Sequence, residues 1–388
     1  MLRAETVRSN GKFNRAVGRR MGEAVQRQLN QVPKACWLFC APLDGIENLL
    51  VGICEGAGTE HVIGCTTDGE ISNDGLSINS AVLAGVACDC IDFEMAVVQD
   101  LGKDSASAGR KLAQSFSSPP KYLQIFSDGL TGNGCAILDG IGSVLGTHTP
   151  VCGGAAGDNG NFKKTLLFSH GRMYTDALCG IAFHGDFQFG TGVRSGWAPI
   201  GLAKQVTRAR GNVVYELNGE PALDVFERFL GQHARKLPAI GVEYPLGFMM
   251  PSGIPGEEEV FVLRASMSVD RKERAIVFAG DIPEGVMVHM TCGDKASILH
   301  AAETAAKEAR SAIGETTPEI IFCYSCMARK IVLGGRTKDG INRVRAQIGS
   351  RIPIIGFYSY GEFCPVGPGS PSYLHNETIT LTVMGTGS

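Results

Sequence analysis

Tyr122-Leu123-Gln124-Ile125-Phe126, a helical stretch, and then Pro150-Val151-Cys152-Gly153-Gly154-Ala155-Ala156-Gly157-Asp158 read as two strands joined by a crossover. Both strands are apolar runs without polar alternation, the pattern of strands covered on both faces. A connection this long implies parallel pairing, since antiparallel neighbours need only a short turn. The second strand ends in glycines and a small polar turn, where backbone can come close to a ligand.

The same plan occurs on either side. Ala35–Cys40 leads to His61-Val62-Ile63-Gly64-Cys65-Thr66-Thr67-Asp68-Gly69-Glu70, and Glu319–Cys323 leads to Pro353-Ile354-Ile355-Gly356-Phe357-Tyr358-Ser359-Tyr360-Gly361-Glu362. The three closing strands align as apolar-apolar-Gly followed by a turn with an acid, at Glu70, Asp158 and Glu362. An internal repeat of this kind predicts three βαβ units. Between them the pattern alternates, as in Ala81–Ala87, Phe93–Val98, Ala177–His184, Gln188–Val193 and Thr378–Val383, and Ser169-His170-Gly171-Arg172 reads as a hairpin turn. The fold class is therefore α/β, with mixed sheets of repeated strand-helix-strand units, helices on the outer faces, and two domains. A chain of 388 residues exceeds what one core holds. The division is placed at 1–200 and 201–388, in the stretch Gly196–Gly211, where the strands are expected to end. Asn14 to Leu29 reads as an amphipathic helix. Pro221 to Leu230 and the alanine-rich stretch after Asp294 read as helices with Pro in the first turn and Asp as cap.

A formal net charge of −3 gives no electrostatic footprint for nucleic acid or anionic membrane, and no run of apolar residues is long enough to span a bilayer. Thirteen cysteines, several inside apolar runs such as Ala35–Cys40, fit a reducing compartment with no structural disulfide. The expected location is cytoplasmic.

Several stretches, in order, resemble the FIST family of bacterial sensory proteins: Ile63–Ile71 and Cys152–Asp158 its N-terminal domain, and Asn218–Asp224, Gly356–Glu362 and His375–Thr378 its C-terminal domain. The resemblance implies signal input through a small ligand such as an amino acid. Some members bind haem, sense nitric oxide and act on a histidine kinase, so haem is a candidate cofactor. No kinase, receiver or cyclase segment is recognised, so output is expected through a separate signalling partner.

The expected ligand contacts are Thr66, Thr67, Glu70, Gly153, Gly154 and Asp158 in the first half and Tyr358, Tyr360, Glu362 and His375 in the second, with the pocket at these turns or between the domains. In the competing reading the glycines only make tight bends, and the acids only accept N–H bonds of their own turns. His184 and His375 are the candidate metal or haem ligands; no C-x-x-C-H for covalent haem occurs. Phosphate-loop and G-x-G-x-x-G patterns are absent. Cys323-Tyr324-Ser325-Cys326 is a C-x-x-C near Arg329 and Lys330, an incidental pair, a setting for redox chemistry, or half of a metal site whose other ligands could come only from Cys88-Asp89-Cys90 or Cys364. G-x-S-x-G and H-E-x-x-H are absent, so catalysis is not expected. The function read from the sequence is small-ligand sensing. The alternatives are a haem-binding nitric oxide sensor, a cysteine-dependent enzyme, and an adaptor without a ligand.

Overall fold

The computed structural model describes residues 1–254 and 256–387. The first unit runs β1 (Arg3–Asn10), α1 (Arg15–Leu29), β2 (Ala35–Cys40), α2 (Ile46–Ala57), β3 (Val62–Thr66), a hairpin β4 (Glu70–Ser72) and β5 (Gly75–Ser77), then β6 (Ser80–Ala87). The second repeats it: β7 (Ile91–Gln99), α3 (Ser105–Gln114), β8 (Tyr122–Ser127), α4 (Gly134–Leu145), β9 (Val151–Ala155), hairpin β10 (Leu167–Ser169) and β11 (Arg172–Tyr174), and β12 (Ala177–Gly185). A third opens with β13 (Gln188–Arg194) and is interrupted by an inserted sheet. The insert holds β14 (Trp197–Arg210), β15 (Val213–Leu217), β16 (Glu220–Pro221), α5 (Ala222–Leu230), β17 (Leu246–Ile254), β18 (Glu257–Arg264), β19 (Ser266–Asp270), β20 (Ala275–Phe278) and β21 (Met287–Gly293). The third unit resumes with α6 (Lys295–Ala312), β22 (Ile320–Cys326), α7 (Met327–Leu333), α8 (Thr337–Ile348), β23 (Ile354–Ser359), hairpin β24 (Glu362–Pro365) and β25 (Ser372–His375), and β26 (Ile379–Gly385).

All three expected crossovers return parallel: β2 with β3, β8 with β9, β22 with β23. The sheet orders are β1-β6-β2-β3-β10-β11, β7-β12-β8-β9-β24-β25 and β13-β26-β22-β23-β4-β5. Each unit builds four strands of its own sheet and gives its hairpin to another. The first unit's hairpin joins the third sheet, the second's joins the first, and the third's joins the second. The exchange runs in a ring and covers the open edge of each closing strand.

The ring leaves one shared core. Leu38, Ile125 and Cys323 face Gly64, Gly153 and Gly356, which makes Phe39, Phe126 and Tyr324 equivalent positions. Those three rings meet pairwise at 5.4, 5.9 and 6.2 Å, nearly an equilateral triangle about a pseudo-threefold axis. Just off the axis Trp37 Nε1 donates to Gln124 Oε1 at 2.8 Å, from one equivalent position to another. On the outer faces, α1 and α2, α3 and α4, and α6 and α8 each cover one sheet with a separate apolar cluster.

The inserted sheet has its own core, with Val206, Phe226, Phe248 and Phe278. Here one expectation is overturned: within Gly196–Gly211, where strands were to end, Trp197–Arg210 forms a single long strand. Only Trp197 and Val206 of it are buried, so it lacks the apolar pattern that marks a strand in sequence. Asn14 caps α1, and Asp294 caps α6 by accepting from Ala296 and Ser297.

All thirteen cysteines are free, and Cys88 and Cys90 approach at 3.0 Å between sulfurs. Thiol titration in denaturant without reductant, on oxygen-protected material, is expected to return all thirteen; eleven would show one disulfide, with Cys88–Cys90 and the touching Cys152 and Cys364 as the pairs to map. The C-x-x-C is a different matter. Cys323 and Cys326 are three residues apart in one strand, so their side chains leave opposite faces of the sheet and cannot pair with each other.

Candidate functional site

The glycine-ended turns meet around the pseudo-threefold axis at the carboxyl ends of the parallel strands. Asp68 N–H donates to Tyr358 O, Tyr360 N–H to Ala155 O, and Gly157 N–H to Thr66 O, so each turn leans on another. Thr66, Thr67, Glu70, Gly153, Gly154, Asp158, Tyr358, Tyr360, Glu362 and His375 are all buried. The side chains find partners inside the protein. Glu70 accepts from Thr67 Oγ1 at 2.6 Å and Ser80 Oγ at 2.5 Å; Glu362 accepts from Ser359 Oγ at 2.6 Å and Thr378 Oγ1 at 2.7 Å. These turns form a hub, and of the ten residues Tyr360 and His375 line hollows at its edge.

Asp158 does not occupy the position of the other two acids. Glu70 stands opposite Phe357 and Glu362 opposite Gly154; the residue opposite the equivalent Cys65 is Leu167. In the second unit Ala156, Leu167 and Ala177 replace the hydroxyl–carboxylate–hydroxyl trio. A fully satisfied polar group and its apolar replacement of similar shape are both compatible with burial, whereas a mixture is not. Asp158 instead holds the extra loop that follows it. It accepts from Phe162 N–H at 2.8 Å, Lys163 N–H at 2.7 Å, Lys164 N–H at 3.0 Å and the Tyr360 hydroxyl. Burial raises its carboxyl, but the Tyr360 hydroxyl and those N–H groups outweigh this and hold it below its ordinary value.

Burial pushes the Glu362 carboxyl up to about 8 and that of Glu70 to about 7. Between the ordinary value of 4.5 and about 8 the folded chain keeps a proton that the unfolded chain has released. The favourable contribution of Glu362 is therefore present below 4.5 and lost as pH rises through 8, at up to about 1.4 kcal/mol per pH unit. Glu362→Gln, neutral throughout, should flatten the fall in stability between pH 5 and 8. Urea melts of both proteins across that range check it, and parallel curves would refute the buried acid.

The third unit carries polar groups that the repeat does not explain. Asn79, Asp176 and Glu377 are equivalent and all take positive φ, at 54°, 48° and 62°. Asn and Asp tolerate that conformation; Glu is less usual there. Glu377 is fully buried, its Oε1 has no partner, and Cys326 Sγ lies 3.9 Å from Oε2. Burial, then Glu362, pushes the Glu377 carboxyl well above its usual range. Arg329, also buried, donates to Ser195 O and Ile298 O and leaves Nε free.

Open space lies on the seam between the second unit and the inserted sheet, in two hollows that share Leu374 in their walls. The inner one, about 230 Å³, is walled by the loop Ser127–Gly132, by Ala155, Tyr360 and Gly361 of the hub, and by Asn212, Phe278 and Ala279 of the insert. It sits at the carboxyl end of β8 and the start of α4, the usual place for ligands in α/β sheets. Asp128 organises the loop by accepting from Leu130, Thr131 and Asp176 N–H groups, and the buried Thr131 Oγ1 has no partner. The outer hollow, about 310 Å³, lies between α4, β25 and the insert, with Arg264 and Cys135 in its wall. Arg264 carried no sequence signal, because Leu374 and Cys135, which it meets, lie far along the chain; Asp128 meets Leu130 and Thr131 within its own loop, so its Asp-Gly turn is the signal by which sequence reasoning could have found this loop.

The two histidines are far apart in setting. His184 lies at the end of β12, with Nε2 3.5 Å from Glu94, while His375 in β25 has Nε2 2.9 Å from Cys364 O. Burial lowers His375 to about 4, so its ring is neutral. The hollow beside it measures about 200 Å³, too little space for a porphyrin ring. As these residues stand, they do not fit a haem. Among the described residues no group of three or more His, Cys, Asp or Glu is placed to hold a metal ion, and no helix is long and apolar enough to cross a membrane.

The model of the FIST N domain matches residues 34–220, and that of the FIST C domain matches residues 222–365. The chain is 24% identical over 352 residues to the uncharacterized protein MJ1623 of Methanocaldococcus jannaschii, covering 81% of this chain and 64% of that protein. It is 25% identical over 244 residues to the uncharacterized protein Rv0628c of Mycobacterium tuberculosis, covering 61% of each. The chain thus spans less than two thirds of the length of these curated relatives. A solved structure of a cyanuric acid hydrolase from A. caulinodans aligns over all of both chains at 10% identity and a TM-score of 0.38, too slight a likeness to bear on function.

Proposed function

The chain belongs to the FIST family, and from that premise we propose that it is a sensor whose small ligand sits on the seam between the second unit and the inserted sheet. The observation that supports this reading is the pair of hollows at that seam, with the buried, unpartnered Thr131 hydroxyl beside the inner one. A ligand there touches both the hub and the insert, so binding energy can shift how the insert rests on the three-unit body. The output passes to a separate protein in the cytoplasm, and an amino-acid-like ligand and a histidine kinase partner are the forms the family suggests. The hub residues set the shape of the inner wall through Tyr360 and Gly361 rather than touching the ligand as a set.

Native mass spectrometry of the freshly purified chain should show a co-purifying small molecule. Ala279→Trp, which fills the inner hollow, and Gly142→Leu, which fills the outer one, should each weaken or remove it while leaving the fold intact. Retention of the molecule by both variants would place the site elsewhere. A Soret band in the purified protein would favour the haem reading.

A further inference from the structure

We propose that the outer hollow binds an organic carboxylate with an apolar body, anchored by Arg264; this rests on the reading of the seam as the ligand site. Arg264 is 1% exposed and lies in the wall of the hollow. Its Nε donates to Asp281 O at 3.2 Å, and Nη1 to Leu263 O and Leu374 O, each at 2.9 Å. Among the described residues Nη2 meets only the Cys135 sulfur, at 3.7 Å, a weak acceptor, and the guanidinium carbon lies 5.7 Å from the Phe248 ring centroid. Among the described residues no carboxylate hydrogen-bonds or ion-pairs with it. A buried guanidinium without a counter-charge is costly, and the pairing that best relieves it is with a planar carboxylate.

The fold makes room for this cation. A Cβ on Gly280 would stand 2.8 Å from Arg264 Nε and 2.7 Å from a Leu374 methyl, so glycine there admits the side chain. The rest of the wall selects the body of the ligand. Leu138, Ile141, Val151, Met250 and Pro371 present hydrocarbon, and among the described residues a single acid, Asp139, stands exposed in the wall. One buried cation in an apolar hollow suits one carboxylate and disfavours phosphates and dicarboxylates, whose second charge finds only Asp139. Free fatty-type acids and apolar amino acids share this chemistry, and the amino group distinguishes them.

The test is calorimetric titration of the full chain, cleared of bound molecules, with three probes of one shape: 4-methylpentanoate, leucine and 3-methylbutylamine. The acid should bind and the amine should not. Tighter binding of leucine than of the acid, lost in Asp139→Asn, would assign the ligand to amino acids; equal or weaker binding assigns it to simple acids. Arg264→Gln should weaken the acid at least 100-fold. Because Arg264 also clamps three carbonyls and its loss can disturb folding, Gly142→Leu is the second variant. Its Cβ would stand 3.4 Å from the Thr147 side chain, an acceptable contact, and Gly142 lines the hollow with no Arg264 atom among that Cβ's nearest neighbours. It should abolish acid binding without lowering the melting temperature, and the acid should protect Cys135 from alkylation in the parent chain. Amine binding as tight as acid binding, or acid binding unchanged in Gly142→Leu, would overturn the proposal. If Gly142→Leu removes a co-purifying molecule but none of the three probes binds the parent, the seam stands as the site and the carboxylate assignment fails.

Discussion

Gly153→Val should yield no soluble, cooperatively folding protein. A Cβ at Gly153 would lie 1.9 Å from Ile125 O and 2.9 Å from its carbonyl carbon, and the backbone there has φ +139°. Both offending atoms are backbone of the neighbouring parallel strand, so nothing flexible can give way. The equivalent glycines meet the same wall: Gly64 at 1.9 Å from Leu38 O, and Gly356 at 1.6 Å from Cys323 O. Opening either strand pair would disrupt the aromatic triangle behind it, so the cost should exceed the roughly 4–5 kcal/mol that already marks an exceptional substitution. Gly146→Ala is the control. Gly146 has φ +88° but nothing within 4 Å of a built Cβ, so its cost should stay near the ~1–2 kcal/mol of left-handed backbone alone. Soluble yield and thermal melts decide, and a Gly153→Val protein melting within a few degrees of the parent would refute the account. Gly154→Val is expected to be milder but not silent, since its neighbours at 3.1 and 3.3 Å are side chains, Phe357 and Ser359.

Lys330→Met should cost about 3 kcal/mol, because it strands a buried carboxylate. Asp68 is 1% exposed; its Oδ2 lies 2.6 Å from Lys330 Nζ, which also donates to Asp68 O, and its Oδ1 has no partner. Lys330 lies in α7 of the third unit and Asp68 in the turn after β3 of the first, so the pair ties two units together beside the axis. Burial already raises the Asp68 carboxyl despite Lys330, which shows how far that cation is needed. Replacing both, Asp68→Asn with Lys330→Met, removes the stranded charge and should recover most of the loss. Urea unfolding of the two single variants and the double variant measures the coupling. Simple additivity of the two single effects would show that the pair contributes nothing to stability.

Much of the architecture was legible in the chain itself. Apolar runs without alternation, separated by helical stretches, encode parallel pairs covered on both faces. Repetition of Ile63-Gly64, Cys152-Gly153 and Ile355-Gly356 fixes where each pair closes. Cap residues Asn14 and Asp294 mark helix starts because their side chains satisfy N–H groups only a few residues away. All of this is local physics, readable within a window of a dozen residues.

What the tertiary structure decided depends on partners far along the chain. Hairpin strands of three or four residues, such as Leu167–Ser169, hold too few side chains to specify an edge, so only the closed ring shows that they are exchanged among the units. Asp158 and Glu70 look alike in sequence, yet the extra loop after Gly157 moves Asp158 out of register and leaves Leu167 in its place. The burial of the hub likewise follows from three turns converging on one axis, which no single turn encodes. Arg264 becomes a candidate anchor only because the inserted sheet folds back over α4 and sets a buried guanidinium against an apolar hollow. Spacing along the chain records which residues share an element; which elements share a wall is set by packing between them.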